Sequence, residues 1–224
     1  FPLQFLIHRS ISGGSAAGSD INDISAVFIT HKHGDHTDGL VSMTDLCSWR
    51  YKDASPEIFL PDMKLAELLR LWVEEALRLW VETTEACPLG ENLQFRPVQE
   101  GVFFDDGTLR VTALRNGHLP DGSYSFRLEA EGKTVLFTGD MKPTDGPTAD
   151  YARFTQSGVF DLVVAECAHF NAMKYLEPIR ANPPKRFCFN HYSTRFVESC
   201  WHLRKELENE VPVLLMTDGY ELTL

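Results

Sequence analysis

The sequence contains no C-x-x-C pair, and its cysteines are few and odd in number: Cys47, Cys87, Cys167, Cys188 and Cys200. That pattern argues against a disulfide framework and predicts a reduced, cytoplasmic protein. Basic residues are scarce. The 21 Lys and Arg are outnumbered by 32 Asp and Glu, a formal net charge of −11. Such a balance argues against a broad nucleic-acid-binding face, yet leaves room for a local metal site that holds one phosphate. There is no apolar run of about 18 residues, which excludes a membrane-spanning helix. Phe1 to Ser19 lack the basic start and long apolar core of a signal peptide, and no initiator Met opens the chain. The expectation is a natural N-terminus missing from this sequence. The Gly-rich stretch SGGSAAGS at 12–19 fits neither G-x-G-x-x-G nor the P-loop pattern, and reads as a mobile turn. No Pro/Gly-rich linker divides the 224 residues, of which 43% are hydrophobic. One domain over 1–224 is expected, with an N-terminal strand missing from it.

Strand patterns run at 1–7, 26–30, 56–60, 92–98, 108–116, 124–130, 133–138, 161–166, 185–190, 211–216 and 220–224. Turn signals punctuate them at Asp106-Gly107, Glu131-Gly132 and Asp218-Gly219. One helix is expected from about Asp38 to Tyr51. A second follows Asp62 as N-cap, with Leu65, Leu68, Leu69, Trp72, Ala76, Leu79 and Trp80 at helical spacing and a stop at Pro88 and Gly90. The repeated LRLWVE at 69–74 and 77–82 belongs to this amphipathic helix. A third starts near Ser193, with Val197, Cys200, Trp201 and Leu207 on one face. Strands alternating with isolated helices indicate a mixed α/β protein.

The densest chemistry lies in ITHKHGDHTDGL at 29–40, where His31, His33, Asp35 and His36 fall within six positions after a short apolar strand. A sharp turn at Gly34 would aim the four into one volume. Imidazoles and carboxylates suit zinc, manganese or iron. A polar, His-rich surface loop is the bland alternative. Three more residues end strands: His118 in ALRNGHLPDGSYSF, Asp140 in TVLFTGD and His191 in RFCFNHYSTRF. Strand ends are where α/β sheets place function.

HKHGDH resembles the H-x-H-x-D-H signature of the metallo-β-lactamase superfamily, and the order His118, Asp140, His191 matches as well. The stretch from Gly117 to Asp140, the AECAHF segment around Glu166 and the NHYSTRF segment are similar to the ribonuclease Z and phosphodiesterase-like branch. The resemblance departs near the N-terminus, where His8 stands in place of an Asp that often precedes Gly in the family. It implies a four-layer αβ/βα sandwich with two divalent metal ions, zinc first and manganese or iron as alternatives. Carried over position by position, His31, His33 and His118 would hold one metal, Asp35, His36 and His191 the other, and Asp140 would bridge them.

The function expected from this resemblance is hydrolysis of a small phosphodiester by hydroxide shared between the metals, with Asp35 also orienting the nucleophile. Arg195 would contact a phosphate oxygen. Ser193 would do the same or cap the following helix, capping being the stronger expectation. His169 would protonate the leaving group, with Glu166 fixing its tautomer. A lactonase or thioester hydrolase on the same site, or a non-catalytic metal-binding regulator, are the alternatives. The expected partner is a small molecule rather than extended nucleic acid or a membrane, and a homodimer stays open.

Overall fold

The computed structural model describes residues 6–9, 21–51, 53–80, 93–217, 220 and 222–224. The Gly-rich stretch at 12–19, the helix stop at Pro88 and Gly90, the end of the second LRLWVE and the Asp218-Gly219 turn lie outside them. The chain forms two compact units, Phe1–Val98 and Gln99–Leu224.

The N-terminal unit runs β1 (Leu6–Arg9), β2 (Ile24–Phe28), α1 (Gly34–Trp49), β3 (Glu57–Leu60), α2 (Lys64–Trp80) and β4 (Gln94–Pro97). Its sheet has the order β1-β2-β3-β4. β1 is antiparallel to β2, and the β2–β3 and β3–β4 pairs are parallel. Parallel neighbours require a crossover, which α1 and α2 supply. Val27, Ile29, Leu40, Ile58, Leu60 and Leu69 build the core between sheet and helices. The Asp62 carboxylate accepts the Lys64 N–H at 3.0 Å and caps α2, as expected. Ala66, Leu69 and Val73 form the buried face of α2, while Leu68 and Trp72 are 61% and 52% exposed. The apolar set expected on one face is therefore split, because Leu and Trp occur there on both sides of the helix.

α1 starts four residues before the expected Asp38. The His33 carbonyl accepts the His36 N–H at 3.1 Å and the Thr37 hydroxyl at 3.0 Å, closing a first turn made of polar residues. Apolar periodicity begins only at Leu40, so the pattern hides that turn. Gly34 opens the helix, and it is absent from the glycines with positive φ. The sharp turn expected of it is a helix start.

The C-terminal unit runs β5 (Gly101–Asp105), β6 (Leu109–Arg115), β7 (Tyr124–Ala130), β8 (Lys133–Phe137), α3 (Tyr151–Thr155), β9 (Leu162–Cys167), α4 (Leu176–Ala181), β10 (Phe187–Tyr192), α5 (Val197–Glu206) and β11 (Val213–Leu215). The sheet order is β11-β10-β9-β8-β7-β6-β5. β5 to β8 form an antiparallel meander, and β8 to β11 are parallel. Glu131 and Gly132 have φ of 50° and 72°, as a two-residue hairpin of type I′ needs. Every residue of β9 is buried, as befits a central parallel strand. Tyr151, Phe170, Tyr175, Phe187 and Phe189 pack the core on one face of the sheet. Cys200 and Leu203 on α5 and Leu207 at its C-terminal end are buried, but Trp201 is 51% exposed and leaves the expected apolar face. Residues 222–224 form no strand. No helix of the described residues is long and apolar enough to cross a membrane.

Candidate metal centre

Each unit carries one set of donors. In the N-terminal unit, β2 delivers the chain through buried Ile29 and half-buried Thr30 to His31, which is fully buried. The Ile29 N–H donates to the Phe59 carbonyl at 3.0 Å and ties this exit to β3. His31 Nδ1 stands 3.1 Å from the Thr30 hydroxyl, and its Nε2 faces His33 Nδ1 at 3.1 Å. The His31 and His36 rings lie 4.0 Å apart. His36 is buried in the first turn of α1, with its Nε2 3.6 Å from Asp35 Oδ2. The structure brings His31, His33, Asp35 and His36 together as the sequence expects.

In the C-terminal unit, Asp140 is the centre. Gly139 precedes it with φ 57°, a left-handed conformation that favours glycine and turns the chain out of β8. The Asp140 side chain is 1% exposed. His118 Nε2 stands 3.7 Å from its Oδ2, His169 Nε2 3.6 Å from the same oxygen, and His191 Nε2 3.7 Å from Oδ1. Different histidines therefore face the two carboxylate oxygens. His191 sits on β10 opposite Glu166 of β9, after an irregular step in the register past Phe189. Such a step re-aims a side chain at a sheet end.

Glu166 is buried and acts as a hub. Its Oε1 accepts the Met141 N–H at 2.9 Å, and its Oε2 accepts the N–H groups of Ala168 and His169 at 2.7 and 3.2 Å. His169 Nδ1 lies 3.3 and 3.2 Å from the two oxygens. A carboxylate that accepts three backbone N–H groups faces His169 as an acceptor too, so it selects the tautomer with the proton on Nδ1. His169 Nε2 is then left toward Asp140. Cys167, beside this hub, is fully buried and donates its S–H to the Phe170 carbonyl at 3.0 Å.

Of the last two expected residues, Ser193 donates its N–H to the Cys167 carbonyl at 3.4 Å, beside the Glu166 hub. Arg195 is exposed, its guanidinium 5.0 Å above the Phe196 ring, and makes no ion pair among the described residues. It lies just ahead of α5. The Ser193 hydroxyl does not cap α5, which is a correction. The Ser193 carbonyl instead accepts the Phe196 and Val197 N–H groups at 3.0 and 3.1 Å, because a turn separates it from the helix. Asn116 was not evident as a site residue. It accepts the His118 backbone N–H at 3.2 Å, and a polar residue ending a strand gives no signal of that aim.

The donors fit a divalent cation. They are imidazole nitrogens and carboxylate oxygens, with no thiolate among them. Two nitrogens held about 2.0–2.1 Å from one tetrahedral ion sit about 3.3 Å apart. The His31 and His33 nitrogens at 3.1 Å are close to that spacing without rearrangement.

Comparison with known structures identifies the class. The chain aligns with the metallo-β-lactamase fold protein YhfI of Bacillus subtilis at TM-score 0.64 and 19% identity, covering 89% of this chain and 78% of that one. It aligns with the short form of human tRNase Z, ELAC1, at TM-score 0.57 and 20% identity, covering 91% and 80%. The protein has the metallo-β-lactamase fold. Residues 8–193 match the family described as Anti-Pycsar protein Apyc1, and the chain belongs to that family. Ribonuclease Z of Pseudomonas putida is 29% identical over 179 residues, 74% of this chain. The chain spans about half of that relative, 48% of its length.

Proposed function

We propose that the protein is a dinuclear metal-dependent hydrolase that cleaves a small phosphodiester. One observation carries this reading: buried Asp140 presents one oxygen to His118 and the other to His191, as a bridging carboxylate must. His31, His33 and His118 would hold the first cation and Asp35, His36 and His191 the second, with the two units acting as halves of one catalytic domain. Zinc suits this nitrogen and oxygen set, as do manganese and iron. When bound, the cations supply a water of lowered pKa and positive charge against the developing phosphoryl oxyanion.

The chain's own residues supply the rest. Glu166 holds the Nδ1 proton of His169, so Nε2 is the atom that takes up a proton and returns it to the leaving oxygen. Arg195, exposed and without an ion pair among the described residues, offers its N–H groups to a phosphate oxygen. Ser193 contributes its hydroxyl to the same anion.

The likeness to Ribonuclease Z favours RNA as a second substrate, so the acidic net charge alone does not exclude extended nucleic acid. Hydrolysis of a lactone or thioester is the carbonyl alternative. Protein purified without chelator is assayed for metal and for turnover of bis(p-nitrophenyl) phosphate, a short RNA and a neutral lactone. Two equivalents of metal and phosphodiester turnover are expected. Arg195→Ala should cost about 1.5–3 kcal/mol in kcat/KM on the phosphodiester, the scale of a hydrogen bond to a charged group, with lactone turnover unchanged. Equal losses on both substrates would assign Arg195 to structure and favour carbonyl hydrolysis.

A further inference from the structure

Asn116 follows β6, two residues before His118, and is 4% exposed. It offers no donor to a cation, yet both ends of its amide are used. Oδ1 accepts the His118 backbone N–H at 3.2 Å. Nδ2 donates to the Thr138 carbonyl and to the Ser125 hydroxyl, each at 3.2 Å. Ser125 in turn donates to the same Thr138 carbonyl at 2.5 Å. Thr138 lies two residues before Asp140. One buried side chain thus ties the backbone of His118 to the backbone that carries Asp140.

The His118 loop is gripped from its other side too. The Gly117 N–H donates to Asp150 at 3.2 Å, and Arg153 bonds both Asp150 and the Arg115 carbonyl at 2.8 and 2.6 Å. That outer grip ends at the start of α3. The inner grip, through Asn116, ends on the segment that holds Asp140.

We propose that Asn116 is a positioning residue that sets the spacing between His118 and Asp140, so the pair meets its cation already in place. The inference rests on the metal-dependent reading above. The chemistry at this point demands a short side chain with an acceptor at one tip and donors at the other. Asparagine meets that demand, whereas aspartate of the same size would turn lone pairs toward the Thr138 carbonyl. A freed His118 loop would have to be ordered at the moment of binding, and affinity would fall by that cost.

The test is competition of the metal-free protein against a chromophoric chelator for Zn(II), joined to the visible absorption of the Co(II)-loaded protein. Asn116→Asp and Asn116→Ala should each weaken Zn(II) binding about 10–100-fold, the usual effect of removing a group that orients a metal ligand. Their Co(II) bands should shift, since the coordination around His118 relaxes. Thr155→Ala serves as control. It removes a buried hydrogen bond to the Tyr151 carbonyl in α3 and should lower the melting temperature without moving affinity or spectrum. Should Asn116→Ala fail to fold, the isosteric Asn116→Asp decides. Wild-type affinity and spectrum in the folded Asn116 variants would overturn the proposal, as would an equal loss of affinity in Thr155→Ala. Wild-type protein that binds no metal would overturn the dinuclear reading and this inference together. Two metals on the wild type with unaffected variants would overturn this inference alone.

Discussion

Asp140 and His169 stand 3.6 Å apart, yet their loss should read differently. In the proposed centre Asp140 bridges both cations, so Asp140→Ala disturbs metal loading, the attacking water and the charge balance at once. His169 moves a proton, and removal of such a group typically costs about 10²–10⁴-fold in rate. Asp140→Ala should therefore lose metal as well as activity, and His169→Ala should keep both metals with a lowered kcat. Elemental analysis beside steady-state kinetics checks this. Full metal content in Asp140→Ala, with activity equal to that of His169→Ala, would remove the bridging role. Which residues carry donors was readable directly, because His31, His33, Asp35 and His36 are crowded into six positions. The hub at Glu166 was readable only in part. Its three backbone N–H donors and the Asn116 amide are contacts to main chain, which leave no mark in a pattern of side-chain types.

At the scale of elements, legibility followed burial. β7, β8 and β9 were evident because their apolar or alternating runs face a core on one or both sides. β5 was missed: it is an edge strand with Val102 59% exposed and an irregular register against β6, so period-two alternation is broken. The polar first turn of α1 and the short α3 and α4 were missed for the related reason that helical periodicity needs more than one or two turns to register. One junction between elements allows a quantitative expectation. Asp161, at the entry to β9, accepts the Thr134 N–H at 2.9 Å and the Lys185 ammonium at 2.8 Å, and so links β8, β9 and the approach to β10. The Lys185 hydrogen bond, followed by that of Thr134, holds its carboxyl below the usual range. A depressed folded pKa contributes stability above the unfolded value of about 3.9, and that stability is lost as pH falls through the folded pKa. Asp161→Asn keeps an acceptor but loses the charge, so about 1 kcal/mol should go at pH 7. Urea unfolding should find wild type and variant converging once the pH has fallen through the lowered folded pKa. A difference that persists there would trace the loss to packing.

At the scale of the whole molecule, the proposed function makes a demand that neither unit meets by itself. His31, His33, Asp35 and His36 belong to Phe1–Val98, while His118, Asp140 and His191 belong to Gln99–Leu224. Two cations that each take ligands from both units would couple the units' stabilities, since a ligand that binds only the folded state stabilises it by mass action. At a free metal concentration of about 100 Kd one such site adds about 2.7 kcal/mol. Chelation should therefore lower the melting temperature of the whole chain, and added Zn(II) should restore it. The decisive comparison is between His33→Ala and His118→Ala, one from each unit and both assigned to the first cation. Each should forfeit a similar part of the Zn(II)-induced rise, because either change opens the same coordination sphere. Calorimetry on the two variants with and without metal reads this directly. If His118→Ala lost the rise while His33→Ala kept it, the C-terminal donors would bind metal by themselves. The N-terminal histidines would then have to be explained as a polar loop, and the reading of the two units as halves of one catalytic domain would fall with them.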